Sequence, residues 1–373
     1  MTHRVAAVDC GTNSIRLLIA DLRPESDDPE RARGATPGAR GPAGTEGGSS
    51  PCRKPVPSAP PPLTDVTRQM RIVRLGEGVD RTGRLSAAAL DRTMTALREY
   101  AELISGAKPE AVRMGATSAT RDAANAPEFT ERVVAILGVA PEVITGDDEA
   151  WLSFTGATRE LAGTPLAAEC VPPYLVTDIG GGSTEFVLGG AGGPAARGQV
   201  PGGEVPGGEV PGGQVLRDQI RGSSVNIGCV RLTERHLHGD PPSTAQIEAT
   251  VGDIDAALGQ AAAAVPAEKA RTLVGLAGSV TTVAAIALGL GEYDSERIHH
   301  SRVSAARVHE IAGELLAMTR AERAAIPVMH PGRVDVIGAG ALILDRIMTR
   351  FGFAEVLVSE HDILDGIAWS LVS

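Results

Sequence analysis

Residues 5–20 read V-A-A-V-D-C-G-T-N-S-I-R-L-L-I-A, and residues 174–189 read Y-L-V-T-D-I-G-G-G-S-T-E-F-V-L-G. Each is an apolar run ending in aspartate (Asp9, Asp178), then a turn of glycine and hydroxyl residues, then a second apolar run. That pattern predicts strand, tight turn, strand in both. Its repetition predicts a duplicated half. Strands are expected at Val5–Asp9, Ser14–Asp21, Met70–Leu75, Val112–Ala116, Glu142–Thr145, Tyr174–Asp178, Thr184–Leu188, Leu273–Ala277 and Glu355–Ser359. Ser86 can cap a helix whose apolar face is Leu90, Met94, Leu97, Ala101 and Ile104. Later helices are expected over Thr244–Ala263, Ala305–Met318, Arg333–Thr349 and Ile363–Leu371. The class is α/β, interrupted by two hairpins rather than running as a plain βαβ series.

A strand that ends in aspartate and turns through glycine, serine and threonine offers converging N–H groups beside a carboxylate. That is a phosphate cradle with an anchor for a metal ion. Gly11, Thr12, Asn13 and Ser14 supply the first set of donors; Gly180, Gly181, Gly182, Ser183 and Thr184 supply the second. Glycine leaves room for phosphoryl oxygens beside the backbone. The second copy adds Glu185, and G-D-D-E-A-W adds Asp147, Asp148 and Glu149 where a strand gives way to a helix. Acids there also suit the helix dipole. A hydrolase with such a cradle needs a carboxylate to deprotonate water, and the neighbouring turns make Glu149 the candidate.

At 373 residues and 43% hydrophobic, the chain can bury a sizeable core, most simply as two domains. Its 35 Lys and Arg against 46 Asp and Glu give a net charge of −11, which argues against nucleic acid or a membrane surface as partner. Cys10, Cys52, Cys170 and Cys229 form no C-x-x-C pair, so neither a disulfide framework nor a thiolate zinc site is expected. His236 and His238, like His299 and His300, are spaced wrongly for one helical face, which argues against zinc. Thr272–Gly291 carries no charge, but its glycines and hydroxyls point to a buried strand, turn and helix rather than a membrane span. A cytoplasmic protein is expected. Residues 24–64 are rich in Pro, Gly, Ser, Arg and Glu, and residues 189–215 hold three V-P-G-G repeats. Both read as insertions, the first disordered and the second a mobile loop.

Seven blocks together resemble the exopolyphosphatase/guanosine pentaphosphate phosphatase (Ppx/GppA) family. They are V-D-C-G-T-N-S-I-R-L, A-T-S-A-T-R-D-A-x-N, I-T-G-D-D-E-A, T-D-I-G-G-G-S-T-E, I-G-C-V-R-L-T-E-R, L-A-G-S-V-T-T and S-E-H-D-I-L-D-G. The resemblance implies two RNase H-like domains, as in actin, Hsp70 and sugar kinases, around an interdomain cleft. The first would be 1–150 with the 24–64 insertion plus a returning C-terminal helix, 363–373. The second would be 151–362 with the 189–215 loop. It implies Glu149 as general base, and Asp178 and Glu185 as catalytic acids that also hold metal with Asp9. The cofactor would be Mg2+, with Mn2+ as alternative. Asn13, Gly180 and Ser183 fall on phosphate positions and Arg121 on an arginine facing the substrate. Cys229 matches an active-site position, with packing in a glycine-rich turn an equal reading. Arg231 reads as an ion-pairing helix residue.

The resemblance implies release of terminal phosphate from inorganic polyphosphate, with guanosine pentaphosphate as the alternative substrate, by a homodimer. A kinase using Gly278 for adenosine, or a sensor that binds without turnover, are the rivals from other classes. One departure is Trp151, where the family commonly has arginine; it is expected to alter how the cleft mouth holds a long anion.

Overall fold

The computed structural model describes residues 2–23, 63–159, 161, 170–190 and 220–372. The V-P-G-G repeats and nearly all of the 24–64 stretch lie outside the described residues. The first sheet contains β1 (His3–Cys10), β2 (Ser14–Leu22), β3 (Leu63–Ile72), β4 (Ala111–Ala116) and β5 (Glu142–Val143), in the order β3-β2-β1-β4-β5. The second contains β6 (Tyr174–Ile179), β7 (Thr184–Gly189), β8 (Arg221–Val225), β9 (Thr272–Leu276), β10 (Arg302–Ser304) and β11 (Glu355–Val358), in the order β10-β11-β9-β6-β7-β8. In each, the first three strands form an antiparallel meander and two later strands join in parallel, β4 and β5 in the first and β9 and β11 in the second, while β10 adds antiparallel to β11. Apart from β10, the second sheet repeats the first strand for strand, so the α/β fold is two RNase H-like halves facing across a cleft.

The helices of more than one or two turns are α1 (Ala87–Ala107), α2 (Ala126–Leu137), α3 (Gly146–Thr158), α4 (Cys229–His236), α5 (Thr244–Ala264), α6 (Ala277–Ala287), α7 (Ala305–Ala317), α8 (Ile337–Phe351) and α9 (Ile363–Trp369). Leu90, Met94 and Tyr100 of α1 and Phe129 of α2 cover one face of the first sheet. Its other face, including Val5, Ala7, Leu18 and Ala20, is covered by Ile363, Leu364, Ile367 and Trp369 of α9. Thr272–Gly291 resolves into β9 and α6 inside the second core, and no helix among the described residues is long and apolar enough to cross a membrane.

Helix α3 lies between the halves. Leu152 joins the cluster under α9, while Ala150, Phe154 and Ala157 pack on the second sheet. Burying Leu152 and Phe154 stabilises this position by about 1.5–3 kcal/mol each. α3 crosses α9 at two glycines: a Cβ on Gly156 would lie 1.9 Å from the Asp362 carbonyl oxygen, and one on Gly366 would lie 2.1 Å from that of Leu152.

Several expected boundaries are corrected. The strand placed at Met70–Leu75 is β3, starting at Leu63, so residues 63 and 64 belong to the sheet and not to the insertion. Glu142–Thr145 shrinks to two residues, because Thr145 caps α3 with its side chain, which accepts from the Asp148 N–H. Helix α8 begins at Ile337, not Arg333. Strands β8 and β10 had no expected counterpart. β3, β5, β8 and β10 are all edge strands. With one side unpaired, such strands tolerate polar sequences such as R-G-S-S-V, which carry no apolar alternation to read.

Candidate active site

The two turns close alike. The Gly11 N–H donates to the Ser14 carbonyl at 2.9 Å, and the Gly180 N–H to the Ser183 carbonyl at 3.0 Å. Behind each turn, the chain after the third strand folds back and engages its carbonyls. Val73 and Arg74 N–H groups donate to the Asn13 carbonyl and Gly76 N–H to that of Thr12; Cys229 N–H donates to Gly180, and Val230 and Arg231 N–H groups to Gly181. The N–H groups of Thr12, Asn13, Gly181 and Gly182 donate to no backbone carbonyl among the described residues.

A cleft opens between the turns, lined by Asp9, Gly11, Thr12, Asn13, Ser14, Glu149, Asp178, Gly180, Gly181, Ser183 and Cys229. Arg16, Thr117, Ser118, Gly278, Ser279 and Arg333 also line it. The turn tips touch: a Cβ on Gly181 would lie 3.0 Å from Thr12 Cβ, and one on Gly182 would lie 2.7 Å from Thr12 Oγ1. These glycines therefore let the halves approach, which sharpens the expectation that they only admit phosphate. Thr184 is corrected as a donor to the cleft: it is fully buried and its hydroxyl donates to the Ile227 carbonyl at 2.7 Å. The Gly182 carbonyl accepts from Arg231 Nε at 2.7 Å, and Arg231 also pairs with Asp80 and Asp122 across the halves.

The acids are set by α3. Glu149 lies in its first turn and Ser153 one turn on, so both face the second hairpin. Ser153 Oγ donates to Asp178 Oδ2 at 2.8 Å, and Ser224 Oγ of β8 donates to Glu185 Oε1 at 2.7 Å. Glu149 Oε2 accepts from Arg121 Nη1 at 3.2 Å, and that nitrogen also donates to the Ile144 carbonyl. Burial, then the charge of Glu185, pushes the Glu149 carboxyl well above its usual range, against the pull of Arg121. Burial, then the charges of Asp362 and Glu185, pushes Asp178 up to about 8. Glu185 is likewise raised by burial, with the Ser224 hydroxyl opposing. Asp9 Oδ2 accepts from Arg16, while Asp9 Oδ1 and Asn13 Oδ1 are buried without a hydrogen-bond partner. Burial raises the Cys229 thiol, so it is held protonated. Among the described residues no three His, Cys, Asp or Glu side chains form a group that could hold a metal ion unaided.

A model of the Ppx/GppA phosphatase family matches residues 56–373. The chain belongs to that family. "Exopolyphosphatase 2" of Mycobacterium tuberculosis is 43% identical over 99% of this chain and 98% of that protein. "Guanosine-5'-triphosphate,3'-diphosphate pyrophosphatase" of Aeromonas hydrophila is 26% identical over 83% of this chain and 55% of that protein. The crystal structure of the Aquifex aeolicus Ppx/GppA family member superposes with a TM-score of 0.67 at 26% identity, covering 100% of this chain and 98% of that one. An exopolyphosphatase-like protein of known structure gives a TM-score of 0.78 at 37% identity, covering 99% and 98%. With Ppx/GppA membership comes the class: a phosphoanhydride hydrolase.

In this Ppx/GppA chain, Trp151 is corrected as a residue of the cleft mouth. It packs against the cluster under α9. Sequence reading missed Arg16, Asp362, Ser153 and Ser224. Ser153 was findable, since it lies four residues beyond Glu149 on a helix; the other three meet the site only through the fold.

Proposed function

We propose that the chain is an exopolyphosphatase that releases terminal orthophosphate from inorganic polyphosphate, with Mg2+ as cofactor and Glu149 as general base. The observation that carries this reading is that Glu149 and the N–H groups of both turns line one cleft. The relative named exopolyphosphatase, matched nearly end to end, favours polyphosphate over the nucleotide.

The donor set fits Mg2+. That ion is usually held through one or two carboxylates with phosphate oxygens and water completing its shell, rather than by a full protein cage. Asp178 and Glu185 are buried acids whose charges are mutually unfavourable, and Asp9 Oδ1 is an orphaned buried acceptor. Asp178 and Glu185, opposed across β6 and β7, would hold the ion, whose chemistry is to offset charge on phosphoryl oxygens. The turn N–H groups of Thr12, Asn13 and Gly181, which line the cleft, bind and orient the terminal phosphoryl. Glu149, ionised, takes a proton from water as that water attacks phosphorus in line and the bridging P–O bond breaks toward the shortened chain. Burial makes its carboxylate more basic than an ordinary one. Arg121, paired with Glu149, would offer its guanidinium to a phosphoryl oxygen in this reading.

A second reading is hydrolysis of the 5′ γ-phosphate of guanosine pentaphosphate, favoured by Met70 and Ile72, an apolar strip on the cleft wall where a base can lie. Phosphate release from short polyphosphate, long polyphosphate and guanosine pentaphosphate, with and without Mg2+, tests both. Release that is fastest from the nucleotide would reverse the order, and no release from any of them would end the proposal. A cytoplasmic homodimer goes with this reading, and size-exclusion chromatography and cell fractionation check it.

A further inference from the structure

The two hairpins match position for position and differ in one charge. In each, the aspartate and the residue seven places on are direct cross-strand partners: Asp9 opposes Arg16 across β1 and β2, and Asp178 opposes Glu185 across β6 and β7. By duplication, Arg16 stands where the second half has a carboxylate. Side chains directly opposed in an antiparallel pair interact, and like charges there repel.

In the first half the opposition is attractive. Arg16 donates to Asp9 Oδ2 from Nε at 3.0 Å and from Nη2 at 2.7 Å, and reaches Asp362 Oδ2 through Nη1. Asp362 caps α9, so the guanidinium also joins that helix to the hairpin. In the second half two carboxylates oppose each other, and the side-chain donors to them among the described bonds are hydroxyls, which bring no charge. When ionised, Asp9, Arg16 and Asp362 leave one net negative charge, whereas Asp178 and Glu185 leave two. Asp9 keeps only Oδ1, buried and without a partner, to lend to an ion.

We propose that Arg16 is the resident cation of the first hairpin, filling the place a second divalent ion would otherwise take, so that the cleft binds one divalent cation on the Asp178–Glu185 side. This rests on the reading of these acids as cation ligands. A guanidinium does not exchange with solvent, so this half of the charge compensation holds at any metal concentration, and its fork fixes Asp9 and Asp362 at once.

Titration of the full chain with Mn2+ in the absence of substrate, by calorimetry and by the spin resonance of unbound Mn2+, reads the stoichiometry directly. Wild type is expected to bind one ion. Arg16→Gln is expected to bind two, the second more weakly. Arg16→Lys, and the double variant Arg16→Gln/Asp362→Asn, which restores the net charge of the first half, are expected to return to one. Two ions on the wild type, one ion on a folded Arg16→Gln, or two on the double variant would each overturn the proposal. Because Arg16→Gln leaves two buried acids without their cation, its folding is followed by circular dichroism with and without Mn2+. Folding only with Mn2+ supports the proposal, and a variant that stays unfolded in millimolar Mn2+ overturns it. A wild type that binds no Mn2+ removes the underlying reading of the acids as well, which separates that failure from the others.

Discussion

Arg121 Nη1 lies 3.2 Å from Glu149 Oε2, so the carboxylate at the start of α3 is paired with a guanidinium from the short helical turn that follows β4. Burial and Glu185 raise the Glu149 carboxyl, and Arg121 lowers it. A general base works ionised, so activity is lost as pH falls through the pKa of Glu149. Arg121→Gln removes a positive charge that favours ionisation. The acid limb of its pH–rate profile is expected to move to higher pH by roughly one unit or more. A limb that stays in place would separate Arg121 from the titration of Glu149.

Glu149→Gln keeps the shape of the side chain and removes its basicity. Phosphate release is expected to fall by about 10²–10⁴-fold in kcat, the usual scale for a lost general base. Binding of polyphosphate, measured by equilibrium methods, is expected to persist. Unchanged turnover would place the base elsewhere.

Asp178 gives a stability signature. Its carboxyl is raised in the folded chain to about 8 from an ordinary 3.8, chiefly by burial. Below the ordinary value it is neutral in both states and costs nothing. As pH rises from there to the folded value, the unfolded chain ionises first, so folding loses stability with rising pH. Without metal, Asp178→Asn is expected to melt close to wild type at low pH and progressively above it toward mildly alkaline pH. Mg2+ is expected to narrow that gap. Melting curves that run parallel across the whole range would contradict it.

The α3–α9 crossing is testable with one methyl group. Gly156→Ala would bring a Cβ to 1.9 Å from the Asp362 carbonyl oxygen. The backbone there cannot yield as a flexible side chain can, so a loss of about 1–3 kcal/mol or more is expected in urea unfolding. Gly252→Ala, on an exposed turn of α5 with nothing within 4 Å of the added carbon, is the control. It is expected to gain about 0.5–1 kcal/mol.

The duplicated hairpins were legible because each is a local pattern: apolar run, aspartate, turn, apolar run. Arg16 was legible as a letter but not as a role, since its second partner, Asp362, is 346 positions away. Ser224 was hidden for a related reason. It sits on the edge strand β8, whose polar sequence follows the glycine- and proline-rich stretch and shows no alternation to mark it. Thr184 misled because composition does not show which way a hydroxyl points within a strand.

The cover that α9 provides has a consequence for how the protein comes into being on the ribosome. Val5, Ala7, Leu18 and Ala20 are made long before Ile363, Leu364 and Ile367, which close their face of the sheet. A chain that emerges N-terminus first must therefore carry a bare apolar sheet face until α9 follows, the condition under which nascent chains call on chaperones. Asp362 arrives with the same helix, so the cleft acquires its last acid only when the fold closes.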